Sequence, residues 1–237
     1  MRNMKAIYYK EMKSYFNSPM AYIFLVIFAV ITGYFFTRTF FLFNQSDMRS
    51  LFNIIPLVYL FFIPAITMSL IAREKNIGTM EVMSTLPLRD LDFVAGKFLA
   101  ALSLVITGLL ISLVHFFTLT QVGTNIDYGA VFTGYLGLAL AGAVYSAVGT
   151  FASSLTDNQV VAFILGIFIV LIFFLMDKML MFVPTALTGI IQFLSVDYHL
   201  SNISRGVIDS RNLIYFASVV GLFLFMTVRI LEIRRWK

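Results

Sequence analysis

Six long apolar stretches constrain the fold of this chain more than any other feature of its sequence. They lie at about residues 20–43, 51–71, 98–120, 129–153, 159–181 and 213–231. About 20 apolar residues in a helix cross the hydrocarbon core of a bilayer, and a helix satisfies its own backbone hydrogen bonds there. The sequence therefore predicts an all-α membrane protein with six transmembrane helices in one transmembrane domain, residues 1–237.

The composition excludes several other classes of protein. Of the 237 residues, 60% are hydrophobic and 12% are charged, whereas soluble domains carry about 25% charged residues. The chain has no cysteine, which excludes disulfides and thiolate metal sites. Its net charge of +5 comes from basic residues near the membrane edges, which indicates contact with lipid headgroups and not with nucleic acid.

One polar segment, residues 72–97, separates the second and third apolar stretches. It carries four basic and four acidic residues: Arg73, Lys75, Arg89 and Lys97, and Glu74, Glu81, Asp90 and Asp92. Its position between two spans predicts that it lies in water at one membrane face. Gly78 and Thr79 can open a short helix, and Pro87 ends it. The segment is either a surface helix that docks on a soluble partner or an ordinary solvated loop.

The first 17 residues predict an amphipathic interfacial helix. Apolar side chains recur at helical spacing from Met4 to Phe16, and Arg2, Lys5, Lys10 and Lys13 take the other face. Such a helix lies in the membrane interface or packs on the protein's own surface, and both can hold at once.

Two further stretches have a distinct pattern. The fourth apolar stretch has a small-residue ridge at Ala139, Ala143 and Ala147, which favours close helix packing; lining a conduit is the alternative. Residues 183–212 contain an apolar piece that is too short to cross a bilayer, followed by a polar return. This pattern predicts an outer re-entrant or interfacial helix pair.

The distribution of basic residues predicts the orientation. Twelve of the 17 Lys and Arg residues fall on the face with both termini and the polar segment. The positive-inside rule makes this face cytoplasmic.

The sequence offers no clear catalytic centre. Gly96-Lys97 lacks the upstream glycine and the following Ser or Thr of a Walker A motif. His115 is the one ionisable residue predicted near mid-membrane, so the energy for any transport comes from another subunit. His115 with Ser112 could suggest an intramembrane hydrolase, but a packing histidine is favoured. His199 with Asp197 would need further ligands to bind a metal.

The polar segment also carries a resemblance to a known family. It reads Arg73-Glu74-Lys75-Asn76-Ile77-Gly78-Thr79-Met80-Glu81-Val82-Met83-Ser84-Thr85-Leu86-Pro87, followed by Asp92-Phe93-Val94-Ala95-Gly96-Lys97-Phe98-Leu99-Ala100-Ala101. This resembles the loop of ABC-2 transporter permeases, in which a coupling helix contacts the ATPase subunit. The resemblance implies an ATPase-coupling interface formed by Arg73, Glu74, Lys75, Gly78, Thr79, Met80, Glu81, Met83, Leu86 and Pro87.

Other stretches resemble the gliding-motility-type (GldF-like) permeases within that family. They are residues 9–22, 63–68, 152–159, 197–199, 204–209 and 234–236. The resemblance implies that the first helix is an elbow helix. It also implies an outer gate or a periplasmic-partner contact at Asp197, His199, Ser204, Arg205 and Asp209. Arg73-Glu74-Lys75 departs from the relatives, which more often have a Glu-Glu-Arg order.

The expected protein is a permease subunit of an ATP-driven exporter in the bacterial inner membrane, without a cofactor or metal of its own. The resemblance implies an ABC ATPase, two copies per complex, which binds the ATP and Mg. It also implies a second permease chain, the same or related, and a membrane-anchored periplasmic accessory subunit. The alternative is a non-transporting anchor that transmits ATPase-driven force or signal to a periplasmic partner. The sequence does not indicate the substrate.

Overall fold

The computed structural model describes residues 2–42, 47–80, 88–124, 126–182 and 184–235, and within these ranges the chain forms helices and no strands. The helices are α1 (Arg2–Asn17), α2 (Pro19–Thr37), α3 (Arg49–Thr67), α4 (Ser69–Ile77), α5 (Asp90–Val122), α6 (Tyr128–Leu155), α7 (Gln159–Lys178), α8 (Thr185–Leu194), α9 (Val196–Ser204) and α10 (Ser210–Arg235). A π-helical turn, Arg38–Leu42, extends α2, and a 3-10 turn, Met179–Phe182, extends α7.

The predicted six spans are confirmed. Six helical stretches are long and apolar enough to cross a membrane: Pro19–Phe41, Arg49–Ile77, Asp90–Val122, Tyr128–Leu155, Gln159–Phe182 and Ser210–Ile233. The chain is a multi-pass membrane protein. The second and third spans are longer than predicted because their helices continue into the polar segment from both sides.

Helix α6 lies at the centre of the bundle. In its most apolar window 67% of the residues are buried, against 22% in the corresponding windows of α7 and α10. α6 packs against α3, α5, α7, α9 and α10, and Gly149 lets Thr67 of α3 approach its backbone. On the predicted ridge Ala147 is fully buried, whereas Ala139 and Ala143 are half-buried.

The second span is interrupted at Met68, between α3 and α4. Pro56 and Pro64 both lie inside α3, and the interruption follows Pro64 by one turn. The first amide groups of α4 therefore lack partners within their own helix. Ser153 of α6 replaces those partners: its hydroxyl accepts from the Ile71 and Ala72 N–H groups, both at 3.0 Å, and donates to the Met68 carbonyl at 2.8 Å.

Helix α1 packs on the body of the protein. Ile7 and Tyr15 are buried in the core. The Tyr15 hydroxyl donates to the Ile66 carbonyl (3.1 Å) and the Tyr8 hydroxyl to Ser103 Oγ of α5 (3.1 Å). The predicted apolar face of this helix thus contacts the protein.

Two short helices connect the fifth and sixth spans, on the face opposite the polar segment. α9 buries Val196, Leu200 and Ile203 in the bundle. α8 exposes Leu187 and Ile190, which leaves an apolar surface at the outer edge of the molecule.

Candidate functional site

Four charged side chains from three helices meet beside the polar segment; we call them the ion cluster. Lys97 Nζ of α5 lies 2.8 Å from Glu11 Oε1 of α1 and 3.1 Å from Glu74 Oε2 of α4. Lys10 Nζ of α1 lies 2.6 Å from Glu74 Oε1 and 3.6 Å from Glu11 Oε1. The cluster therefore joins α1, α4 and α5 by charge.

The ion cluster is neutral and largely removed from water. The Lys97 side chain is 1% exposed, the two carboxylates are 11% and 12% exposed, and Lys10 is 52% exposed. Its two cations compensate its two anions, and a buried charge is tolerated only when it has such an oppositely charged partner. Burial alone would lower the pKa of Lys10, but the hydrogen bond and the charge of Glu74, with the charge of Glu11, raise that pKa above its ordinary value.

The burial of Lys97 corrects the prediction that the whole polar segment lies in water. Lys97 belongs to the third span, in helix α5, and its ammonium group also lies 4.9 Å from the Phe93 ring centroid. The physical reason is that the negative charges of Glu11 and Glu74 stabilise the Lys97 ammonium group in place of the water that it would contact if it were exposed.

The ion cluster lies at both ends of the loop that connects α4 to α5. Glu74 is one turn before Gly78, where α4 ends with a φ of 76°; only glycine adopts this conformation readily. The Thr79 hydroxyl donates to the Glu74 carbonyl at 3.2 Å. Lys97 lies two turns into α5 on the other side. The cluster thus fixes the distance between the two ends of the loop.

Of the remaining predicted coupling residues, the structure describes three and does not describe four. Arg73 is exposed, Met80 is half-buried, and Lys75 donates a hydrogen bond to the Ser154 carbonyl at the end of α6. Glu81, Met83, Leu86 and Pro87 lie outside the described residues.

Sequence reasoning missed Glu11, Lys97 and Ser153. Glu11 had a signal: it lies one turn from Ile7 and from Tyr15, so it is an acid on the apolar face of α1. An acid in that position indicates a cationic partner from another element. Ser153 had no such signal, because a serine in a helix rich in small residues also suits simple packing.

On the opposite face, His199 is buried and fully engaged. Its Nδ1 lies 2.7 Å from Asn212 Oδ1 and its Nε2 2.9 Å from the Phe193 carbonyl oxygen, and its ring stacks on Tyr215 with centroids 3.9 Å apart. Each ring nitrogen therefore lies within hydrogen-bonding distance of a protein oxygen.

The other predicted outer residues are divided between packing and a cavity. His199, Arg205 and Asp209 line one cavity of about 440 Å³ together with Phe193, Tyr198, Asn202, Val207, Arg211 and Asn212. Ser204 instead donates to the Ser201 carbonyl. Asp197 Oδ2 lies 3.0 Å from Lys178 Nζ. Burial raises the pKa of Asp197 above its usual value of 3.8, although Lys178 opposes that rise.

Ser112 and His115 form hydrogen bonds with other residues of the bundle. The Ser112 hydroxyl donates to the Leu109 carbonyl at 2.7 Å. His115 Nε2 lies 3.4 Å from Thr32 Oγ1, and its ring stacks on Phe36. These contacts favour the interpretation of His115 as a packing histidine.

The comparison with known families identifies the polar segment as part of a shared domain. The family model described as ABC-2 family transporter protein matches residues 37–196, more than half of the chain. The chain belongs to the ABC-2 transporter family. This ABC-2 chain is therefore a membrane component of an ABC transporter, of the non-catalytic permease type, and its family implies partnership with an ABC ATPase subunit. No curated protein matches the chain.

Proposed function

We propose that this ABC-2 chain is the permease subunit of an ATP-driven exporter, and that the polar segment couples it to a separate ATPase. The observation that carries the proposal is the ion cluster. It ties the two ends of the loop to each other and to α1. A displacement of the loop is therefore transmitted to the second span, the third span and α1 together.

Helix α1 acts as the elbow helix in this proposal. Its apolar face packs on α5 and the second span, and its exposed Lys5 and Lys13 are free to face anionic headgroups. The face with α1 and the polar segment is cytoplasmic in the inner membrane, as the excess of basic residues favours.

The complex contains two ATPases and two permease chains, the second identical or related to this one. The ATPases bind the ATP and Mg. ATP binding closes the ATPases and moves the coupling loops, and the spans then alternate between inward-facing and outward-facing states. The substrate must bind the two states differently. The chain resembles the gliding-motility-type permeases, and the outer α8–α9 segment forms the outer gate or contacts a periplasmic accessory subunit.

Co-purification tests the coupling. Tagged wild-type chain, purified from its native membrane in mild detergent, should bring down an ATPase with measurable ATP hydrolysis. Glu81→Arg should lose the ATPase or uncouple it, because it reverses a charge in the proposed interface. Glu232→Arg reverses a charge at the membrane-exit end of α10, where Glu232 pairs with Arg229, and should retain the ATPase. Absence of an ATPase from the wild type in several mild detergents would contradict the proposal.

A further inference from the structure

The outer cavity contains two arginines whose charge is not neutralised by the protein. Arg205 follows α9, Arg211 lies in the first turn of α10, and both side chains are exposed and line the cavity. In the part of the chain that the structure describes, neither guanidinium forms an ion pair or a side-chain hydrogen bond. Each guanidinium presents a planar set of donors that suits a phosphate or a carboxylate.

The net charge of the cavity is positive. Asp209 is the one carboxylate among the lining residues, and it is partly engaged at the start of α10, where its Oδ1 accepts from the Arg211 N–H at 2.9 Å. An anion near a helix N-terminus is favourable, so this carboxylate is stabilised locally and does not neutralise both arginines. His199 is buried and stacks on Tyr215, and it forms part of the wall of the cavity.

The rim of the cavity is apolar. Two exposed apolar side chains line the cavity here: Val207, which lies between the two arginines in the chain, is 63% exposed, and Phe193 of α8 is 58% exposed. A soluble anion would gain nothing from these side chains. An amphiphile would place its anionic group on the arginines and its apolar part along the rim.

We propose that this cavity binds the phosphate-bearing headgroup of an anionic amphiphile, with a phospholipid of the surrounding leaflet as the representative ligand. The volume of about 440 Å³ is within the range of about 300–1,000 Å³ that small-molecule sites occupy. The two arginines hold the phosphate, and the apolar rim directs the acyl chains toward the bilayer. The proposal goes beyond ATPase coupling and does not depend on it.

Binding is measured on the purified chain without its ATPase, in neutral detergent. Fluorescently labelled phosphatidylglycerol should bind at least about tenfold more tightly than labelled phosphatidylcholine. Arg205→Gln and Arg211→Gln should each weaken phosphatidylglycerol binding about tenfold, since each removes a charged guanidinium group that can donate two parallel hydrogen bonds to the phosphate. Arg205→Lys keeps the positive charge but loses the paired hydrogen-bond donors of the guanidinium group, so its affinity should fall between those of wild type and Arg205→Gln.

Two further variants serve as controls. Arg49→Gln removes one exposed positive charge from the same face, where Arg49 pairs with Asp47, and should leave binding unchanged. Asp209→Asn removes the negative charge of the cavity while keeping a residue that caps helices well, and it should strengthen phosphatidylglycerol binding a few-fold. Circular dichroism and size-exclusion profiles check that every variant is folded.

Several outcomes would overturn the proposal. Equal binding of the two phospholipids would show that the site does not select an anion. An equal loss in Arg49→Gln would show attraction to general surface charge only. Displacement of the labelled phosphatidylglycerol by glycerol phosphate at equal concentration would show a site for a soluble phosphate ester. None of these results depends on whether an ATPase co-purifies.

Discussion

Among the described residues, Lys97 is the most deeply buried charge, and its replacement is the most direct test of the ion cluster. Lys97→Met keeps the length of the side chain but leaves Glu11 and Glu74 with the exposed Lys10 as their cation. Breaking a buried ion pair from one side costs about 3–5 kcal/mol. We expect a loss of that order in the unfolding free energy, measured by denaturant unfolding in detergent.

Two variants separate the charge effect from a general packing effect. Lys10→Met changes the same residue type in the same cluster at a side chain that is 52% exposed, and it should cost at most about 1 kcal/mol. Adding Glu11→Gln and Glu74→Gln to Lys97→Met removes the unpaired charges and should restore part of the loss. A triple variant no more stable than Lys97→Met would show that packing, not charge, dominates.

The raised pKa of the Asp197 carboxyl group predicts that the stability of the outer segment depends on pH. Its folded pKa is raised, so the folded state favours the protonated carboxyl. The stabilisation from that proton is complete below the unfolded pKa and is lost as pH rises through the folded pKa. Asp197→Asn mimics the protonated form, so we expect it to melt higher than wild type at pH 7. The difference should vanish near pH 4.

The comparison is made by thermal unfolding of both proteins across pH 4 to 7. The prediction is contradicted if the variant melts below wild type at pH 7 and the difference in melting temperature disappears at low pH. Such a result would mean that the ion pair with Lys178 outweighs the cost of burial.

At the scale of helices, Gly96 controls the contact between α1 and α5. A Cβ at Gly96 would lie 2.9 Å from the Met4 carbonyl oxygen and 3.0 Å from Ile7 Cβ, so Gly96→Val should push α1 away. Overpacking of this kind costs about 1–3 kcal/mol. The chain has no cysteine, so a single Ile7→Cys reports the change, since Ile7 is 6% exposed.

We expect maleimide to label position 7 slowly in the Ile7→Cys protein and at least several-fold faster when Gly96→Val is added. Gly221→Val is the matched control, because a Cβ at this helical glycine of α10 meets nothing within 4 Å. Equal labelling rates in all three proteins would contradict tight docking of α1.

The elements themselves were predictable to different degrees. Hydrophobic length alone located all six spans, because burying twenty apolar residues in lipid dominates local preferences. The second and third spans extend further than hydrophobic length predicts, because Glu74 and Lys97 pair with each other inside the protein instead of remaining solvated. The sequence shows each charge but not its partner: Glu11 and Lys97 are 86 residues apart in the chain.

At the scale of the whole molecule, the orientation in the membrane is the main expectation. Single cysteines at Lys13 and Arg49 report the two faces, since both side chains are exposed. In spheroplasts, a membrane-impermeant maleimide should label Arg49→Cys and should reach Lys13→Cys only after lysis, as the positive-inside rule predicts. The opposite labelling pattern would place α1 and the polar segment outside.

The sequence of the polar segment indicates the family, but it does not indicate how the ion cluster assembles. The order and spacing of the polar segment were enough to indicate the family, which the match over residues 37–196 supports. The pairing of α1 with both ends of the loop depends on three-dimensional proximity that no local pattern encodes. The fold brings His199 and Arg205 to one cavity, and it is the fold that separates the buried wall of that cavity from its charged lining.

Ser153 ties the second span to α6 at the point where the second span's own helix is interrupted. One oxygen makes three hydrogen bonds across the break at Met68, and each bond weakens steeply beyond normal donor–acceptor distances. A movement of α4 away from α6 would stretch the bonds from the Ile71 and Ala72 N–H groups together, because both end on the same oxygen. We therefore expect α4 and α6 to move together when the polar segment is displaced, so that a load on the segment reaches the centre of the helix bundle.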